Sequence, residues 1–254
     1  MLMVPSGALA ADEDPICADR PGKATATCTV LPGRAQVEIG IFDWSRDRTA
    51  GTRTDELAIA GTALSFGLTE RFHVQLDLPA YIDMRERDGP LSERARGFGD
   101  VGVRAKYRLT GDASAVQVAL LPFVSFPTAK RSLGSGKVEG GIGLPIDWDL
   151  RGTPLSMTMT PEIDARADSD GSGHHFATAQ VIGLGAEVSD RLSVSVELWG
   201  VWDFDPAGTS RQYTLGGSGA YLLTNDIQLD AGVDAGLNRA APDLEIYSGI
   251  SFRF

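Results

Sequence analysis

The sequence predicts an all-β chain that closes into a 12-stranded antiparallel up-and-down transmembrane β-barrel. Three observations lead there. A hydrophobic period of two recurs in twelve segments, the connections between them alternate between short and long, and the final stretch EIYSGISFRF keeps its alternation to the last residue. Composition agrees. The 254 residues include 30 glycines, above the usual ~7%, and these are spread through apolar stretches instead of being gathered in linkers. No stretch approaches the roughly 18 to 20 apolar residues of a membrane-spanning helix, which excludes helical membrane proteins and leaves barrels. A net charge of −11 argues against nucleic acid or anionic lipid as the main partner.

The pattern Ala8-Leu9-Ala10 before Ala11 resembles a secretory cleavage site, so residues 1–10 read as a signal-peptide remnant. Residues 11–33 read as an N-terminal periplasmic segment. They hold Cys17 and Cys28, the only cysteines, which in an exported protein form a short-loop disulfide. Asp14-Pro15-Ile16 makes no lipobox ahead of Cys17. The barrel is expected over 34–254.

Its alternation is strongest in 72–84 and 227–238, where Ile227, Leu229, Ala231, Val233, Ala235 and Leu237 alternate with Gln228, Asp230, Gly232, Asp234, Gly236 and Asn238. It is clear in 100–109, 138–150, 192–204 and 243–254, and weaker in 34–44, 56–68, 115–128, 155–167, 174–188 and 210–223. Five short turns, at 69–71, 110–113, 151–154, 189–191 and 224–226, alternate with six longer polar loops near 45–55, 85–96, 129–137, 168–173, 205–210 and 239–242. That is the arrangement of an outer-membrane barrel with both ends of the chain on the short-turn side. A soluble sandwich would not alternate its loop lengths so regularly. Phe66, Phe72, Tyr107, Trp148, Tyr221, Phe252 and Phe254 gather at the short-turn ends. Trp44, Phe126, Phe176, Trp202, Phe204 and Tyr213 gather at the long-loop ends, giving two interfacial belts.

With the apolar parity in lipid, the other parity lines the lumen. On strand three that face is His73, Gln75, Asp77, Tyr81 and Asp83, and on strand four Arg104, Lys106 and Arg108. Further along it carries Glu139, Asp147 and Asp149, then Glu197 and Asp203, Asp230 and Asp234, and finally Glu245 and Arg253. These charges either form a selectivity device or neutralise one another in a narrow wet barrel, and the second reading is favoured. Phe123 and Trp199 fall on the same parity near mid-strand, as a constriction for an aromatic solute or as space-fillers beside glycines.

Enzyme chemistry is absent from the pattern. His174-His175 would point to opposite faces of a strand and suits a surface loop better than a metal site. His73 points inward, away from where a barrel lipase works, and Gly134-Ser135-Gly136-Lys137 lacks the spacing of a phosphate loop. No catalytic, metal or cofactor residues are expected.

GFGDVGVRAKYRL at 97–109, LPFVSFPTA at 121–129 and AYLLTNDIQLDAGVDAGLNRAAPDLEIYSGISFRF at 220–254 resemble the MetA-pathway of phenol degradation family of outer-membrane transporters. The resemblance rests on Gly99-Asp100, Lys106-Tyr107, Pro127-Thr128, Asp230, Ala241-Pro242-Asp243 and Arg253-Phe254, and leaves Cys17 to Cys28 outside the pattern. It implies a bacterial outer-membrane barrel passing small hydrophobic or aromatic molecules. The rival expectation is a structural or surface-exposed protein with a plugged lumen. Expected partners are outer-membrane lipids, the barrel assembly machinery, for which Phe254 would be the terminal signal, and a small-molecule solute.

Overall fold

The computed structural model describes residues 14–49, 51–111 and 114–254; the expected signal remnant lies outside them. Fifteen strand segments and no helix are present among the described residues. They are β1 (Ala35–Thr49), β2 (Thr52–Thr69), β3 (Phe72–Leu78), β4 (Tyr81–Asp88), β5 (Leu91–Phe98), β6 (Val101–Arg108), β7 (Val116–Phe126) and β8 (Glu139–Gly143). The series continues through β9 (Ile146–Asp149), β10 (Leu155–Ala167), β11 (His174–Ser189), β12 (Leu192–Asp205), β13 (Gly208–Thr224), β14 (Ile227–Gly236) and β15 (Leu244–Arg253). β3 with β4, β5 with β6, and β8 with β9 are single barrel strands interrupted at Pro79-Ala80, Gly99-Asp100 and Leu144-Pro145, so the barrel has twelve strands. Every pairing between these strands is antiparallel, and β1 closes the ring against β15 from Gln36↔Arg253 to Arg46↔Leu244.

The barrel is inside-out relative to a soluble core. Val74, Leu76, Val103, Leu184, Val196 and Leu229 are exposed on its outer wall, while Gln36, Glu38, His73, Lys106, Asp230 and Asp234 are buried within. An aqueous protein would not expose so much aliphatic surface, and lipid makes this the favourable arrangement. Phe72 and Tyr107 (centroids 6.4 Å apart) and Phe252 and Phe254 (6.4 Å) pair at the short-turn rim. Phe176 and Phe204 (5.8 Å) pair at the opposite rim.

Three of the loops expected to be long are strand. β1 and β2 stay paired to Thr49↔Thr52, β4 and β5 to Asp88↔Leu91, and β12 and β13 to Asp205↔Gly208, the last two hairpins each leaving a two-residue turn. Their polar sequences belong to hairpins extending past the aromatic belt, where both faces meet water and the apolar alternation lapses. Irregular loops remain at residues 127–138, 168–173 and 237–243.

Tyr81 and Asp83 were expected in the lumen and instead face outward, with Met84 turned inward. Ile59 pairs with both Phe42 and Tyr81, so all three lie on the outer face. A line of irregularities crosses four strands at one height: the bulge between Gly40 and Phe42, Ala60 (φ 59°) with Gly61, Pro79-Ala80, and Gly99-Asp100. Each shifts the chain by one residue, and above that line the parity of side chains inverts.

Candidate functional site

The N-terminal segment expected in the periplasm runs inside the barrel. Just before β1, Gly33 donates its N–H to the Gly67 carbonyl (2.8 Å), and Pro32 bridges Gly67 in parallel. A side chain on Gly67 would overlap the Leu31 carbonyl, so the close approach of the two backbones requires glycine there. Val30, buried, donates its N–H to His73 Nδ1 (3.1 Å). At the other end of the segment Ile16 donates to the carbonyl of Asn225, in a short turn on the same rim. Cys17 and Cys28 are disulfide-bonded, with Cα atoms 5.9 Å apart, and tie the two legs of a loop whose tip, near Arg20 to Thr25, reaches the middle of the lumen.

Charge complementarity holds that tip. Arg20 makes hydrogen bonds from Nε (3.2 and 3.3 Å) and Nη2 (3.0 Å) to Asp230, whose carboxylate is fully buried. Lys23 Nζ lies 2.8 Å from both Asp234 and Glu245 and 5.3 Å from the centre of the Trp199 ring. Asp19 is paired with buried Lys106 at 2.5 Å. Carboxylates of the wall also cap backbone donors: Glu38 accepts from Asp19 and Arg20, Glu197 from Lys23, and Asp147 from both the N–H (2.9 Å) and hydroxyl (2.7 Å) of Thr27. The inward faces of β12, β14 and β15 carry Glu197, Asp230, Asp234 and Glu245, and their counter-charges come from Arg20 and Lys23 of the segment.

The remaining candidates are held in place locally. Arg104 donates to Asp77 (2.7 Å) and lies over the Phe123 ring at 5.9 Å, and Arg108 donates to the Glu70 carbonyl at the rim. Arg104, Lys106 and Arg108 thus serve three different partners instead of forming one ladder. Glu139 accepts the N–H of Ala167 (2.8 Å) near the outer end. His174 contacts the Val138 carbonyl, and His175 sits among Asp168, Asp203 and Asp205 on the outer rim. No cluster of His, Cys, Asp or Glu that could hold a metal ion occurs among the described residues.

Between the segment and the walls lie cavities. One of about 470 Å³ is bounded by Arg20, Lys23, Asp43, Asp77, Ala80 and Arg104, from the tip of the segment toward the outer side. Another of about 340 Å³ lies below it beside Ala26, Asp147, Asp149 and Thr158, and one of about 430 Å³ opens at the short-turn rim between Cys28, Gln36 and Arg253. Charged and polar groups line all three. What sequence reasoning missed is the segment as their shared wall. The signal was present in the surplus of inward carboxylates over inward bases on the last strands.

The family described as "Putative MetA-pathway of phenol degradation" matches residues 18–254, a span that takes in most of the segment left outside the resemblance above. No curated protein sequence matches the chain. Among solved structures it is similar to an outer membrane channel from Pseudomonas putida F1 (TM-score 0.72, 13% identity, covering 92% of this chain and 100% of that one). It is also similar to the β domain of the Bordetella autotransporter BrkA (TM-score 0.56, 15% identity, 88% and 100%) and to the KdgM porin (TM-score 0.51, 12% identity, 85% and 99%). At these identities the likeness is one of fold: a closed barrel of the bacterial outer membrane.

Proposed function

From the premise that this chain belongs to the MetA-pathway of phenol degradation family, we propose that it passes small, hydrophobic or aromatic molecules across the outer membrane by passive diffusion. The observation that carries this is the pair of cavities, part polar and part apolar, flanking a segment whose lumenal tip is secured by ion pairs and hydrogen bonds, with Ile16 and Val30 its buried aliphatic anchors at the rim. The tip from Arg20 to Thr25 can be exchanged for water and solute while Ile16 and Val30 stay seated. Arg104 over Phe123 and Lys23 over Trp199 place two aromatic faces under cations beside this route, which suits a flat, weakly polar solute. The protein acts as a conduit and performs no chemistry on what it passes.

The presence of residues 14–33 in the lumen favours a second reading, a barrel kept closed in a structural role. Conductance of the folded protein in planar bilayers separates the two. Discrete conducting events, reduced by a phenolic solute competing for the lumen, support the conduit. Silence from both the intact protein and a variant lacking residues 14–33 would sink it.

A further inference from the structure

The outward face of the hairpins above the parity-inverting line carries a charge opposite to that of the chain. The register across β1, β2, β4 and β5 stacks it in rows. The lowest row is Phe42, Ile59, Tyr81 and Phe98, all exposed, with Tyr81 and Phe98 in edge contact at 5.5 Å. Next come Trp44, Leu57, Asp83 and Arg96, then Arg46, Asp55, Arg85 and Arg94, and finally Arg48, Arg53, Arg87 and Ser92. Seven guanidinium groups therefore share one surface with two carboxylates, in a protein of net charge −11.

Internal pairing does not use up this charge. Asp55 is shared by Arg46 (2.8 Å), Arg53 (2.7 Å) and Arg87 (3.8 Å), and Asp83 by Arg94 and Arg96. Arg85 has no ion pair among the described residues, and the carboxylate paired with Arg48, that of Asp243, is 3.9 Å away. Glu56, Glu86 and Glu93 lie on the opposite face of the same hairpins. β5 has β4 as its only neighbour in the sheet, and Lys130 of the 127–138 loop, which donates Nζ to the Arg96 carbonyl (3.4 Å), adds a further cation beside Arg94 and Arg96.

Successive rows are two residues apart, about 7 Å along the strand and less along the membrane normal because barrel strands tilt. The arginine rows thus begin within the ~5–8 Å headgroup layer that overlies the hydrocarbon, directly above an aromatic row. Guanidinium forks in this position match phosphate monoesters on a lipid whose acyl chains lie against the apolar wall beneath.

We propose that this face binds the phosphorylated glycolipid of the outer leaflet, with its phosphates held between Arg85, Arg94 and Arg96 and its chains along Phe42, Ile59 and Tyr81. The composition-based expectation that anionic lipid is not a main partner is thereby reversed for this one face. The test is binding of diphosphorylated lipid A to the full chain in nonionic detergent, measured by thermophoresis and native mass spectrometry. Dephosphorylated lipid A and phosphatidylglycerol serve as the other two ligands. Diphosphorylated lipid A should bind at least tenfold more tightly than either. R85Q/R94Q/R96Q should lose at least tenfold, while R211Q, on the outer rim at β13, should lose nothing. If the triple variant fails to show heat-modifiable migration, the single variants R85Q and R96Q replace it, each expected to lose at least threefold. Equal binding of dephosphorylated lipid A or phosphatidylglycerol, unchanged binding by the folded arginine variant, or equal loss in R211Q would each overturn the assignment.

Discussion

Replacing Arg20 by methionine removes the largest single tie between the N-terminal segment and the wall. Arg20 makes three hydrogen bonds of 3.0 to 3.3 Å to Asp230, whose carboxylate is fully buried while the arginine side chain is 26% exposed. Removing one partner of a buried pair costs about 3–5 kcal/mol, because the remaining charge is left without compensation. Water in the lumen offsets part of that, so the lower end, ~3 kcal/mol, is the appropriate figure. At about 1.4 kcal/mol per decade, the equilibrium between seated and displaced segment moves roughly a hundredfold. Single-channel recording should show the ratio of open to closed time rising by about two decades in R20M. Exchanging the charges, R20D with D230R, should return part of it. G249A gives an independent route to the same state, because a methyl on Gly249 overlaps the Arg20 guanidinium. An open-to-closed ratio in R20M within threefold of the parent, in protein that has folded, would refute the reasoning that these ion pairs hold the segment.

Other outcomes follow from the same contacts. In C17S/C28S the loop of 11-residue separation loses a constraint worth about 3 kcal/mol by the chain-entropy estimate, and the loss falls on the segment. Hydrogen exchange and proteolysis over 14–33 should rise while the thermal midpoint of the barrel stays put; a lowered barrel midpoint would place the disulfide in the barrel's own stability. On the outer rim, N–H groups of Ala207 and Ser169 hold the Asp205 carboxyl below its usual range. Its folded pKa is depressed, so its contribution is present at neutral pH and lost only as pH falls below about 3.9 and through the folded value. Protection of the amides in 168–173, taken as exchange relative to the intrinsic rate at each pH, should therefore fall on acidification, and D205N should show that lowered protection already at pH 7; protection independent of pH would refute the tie. Deleting Phe254 should lower the yield of inserted barrel while leaving the conductance of folded molecules intact. The reverse pattern would deny it a role as an assembly signal.

Much of the barrel is legible in the chain because lipid imposes a single rule on it. One parity must be apolar and the other is free to be polar, so IQLDAGVDAGLN at 227–238 declares its two faces residue by residue. Strand number, the inward placement of Asp77, Lys106, Glu197, Asp230 and Asp234, and the two aromatic rims all follow from that local rule. It stops working where both faces meet water, which is why the hairpins ending at Thr49–Thr52, Asp88–Leu91 and Asp205–Gly208 look like loops in sequence.

The tertiary structure alone decided two things. One is the parity inversion across Gly40, Ala60-Gly61, Pro79-Ala80 and Gly99-Asp100, where a one-residue shift in each of four neighbouring strands sends Asp83 outward and aligns the arginine rows. A bulge matters only through its register with neighbouring strands, and a single strand's alternation does not contain that register. The other is the destination of residues 14–33. Arg20 meets Asp230 across 210 positions of sequence, and an ion pair at such separation exists only once the barrel has closed and set the two charges at the same height. The sequence by itself carried the surplus of inward carboxylates; the closed barrel determined which cations answer it.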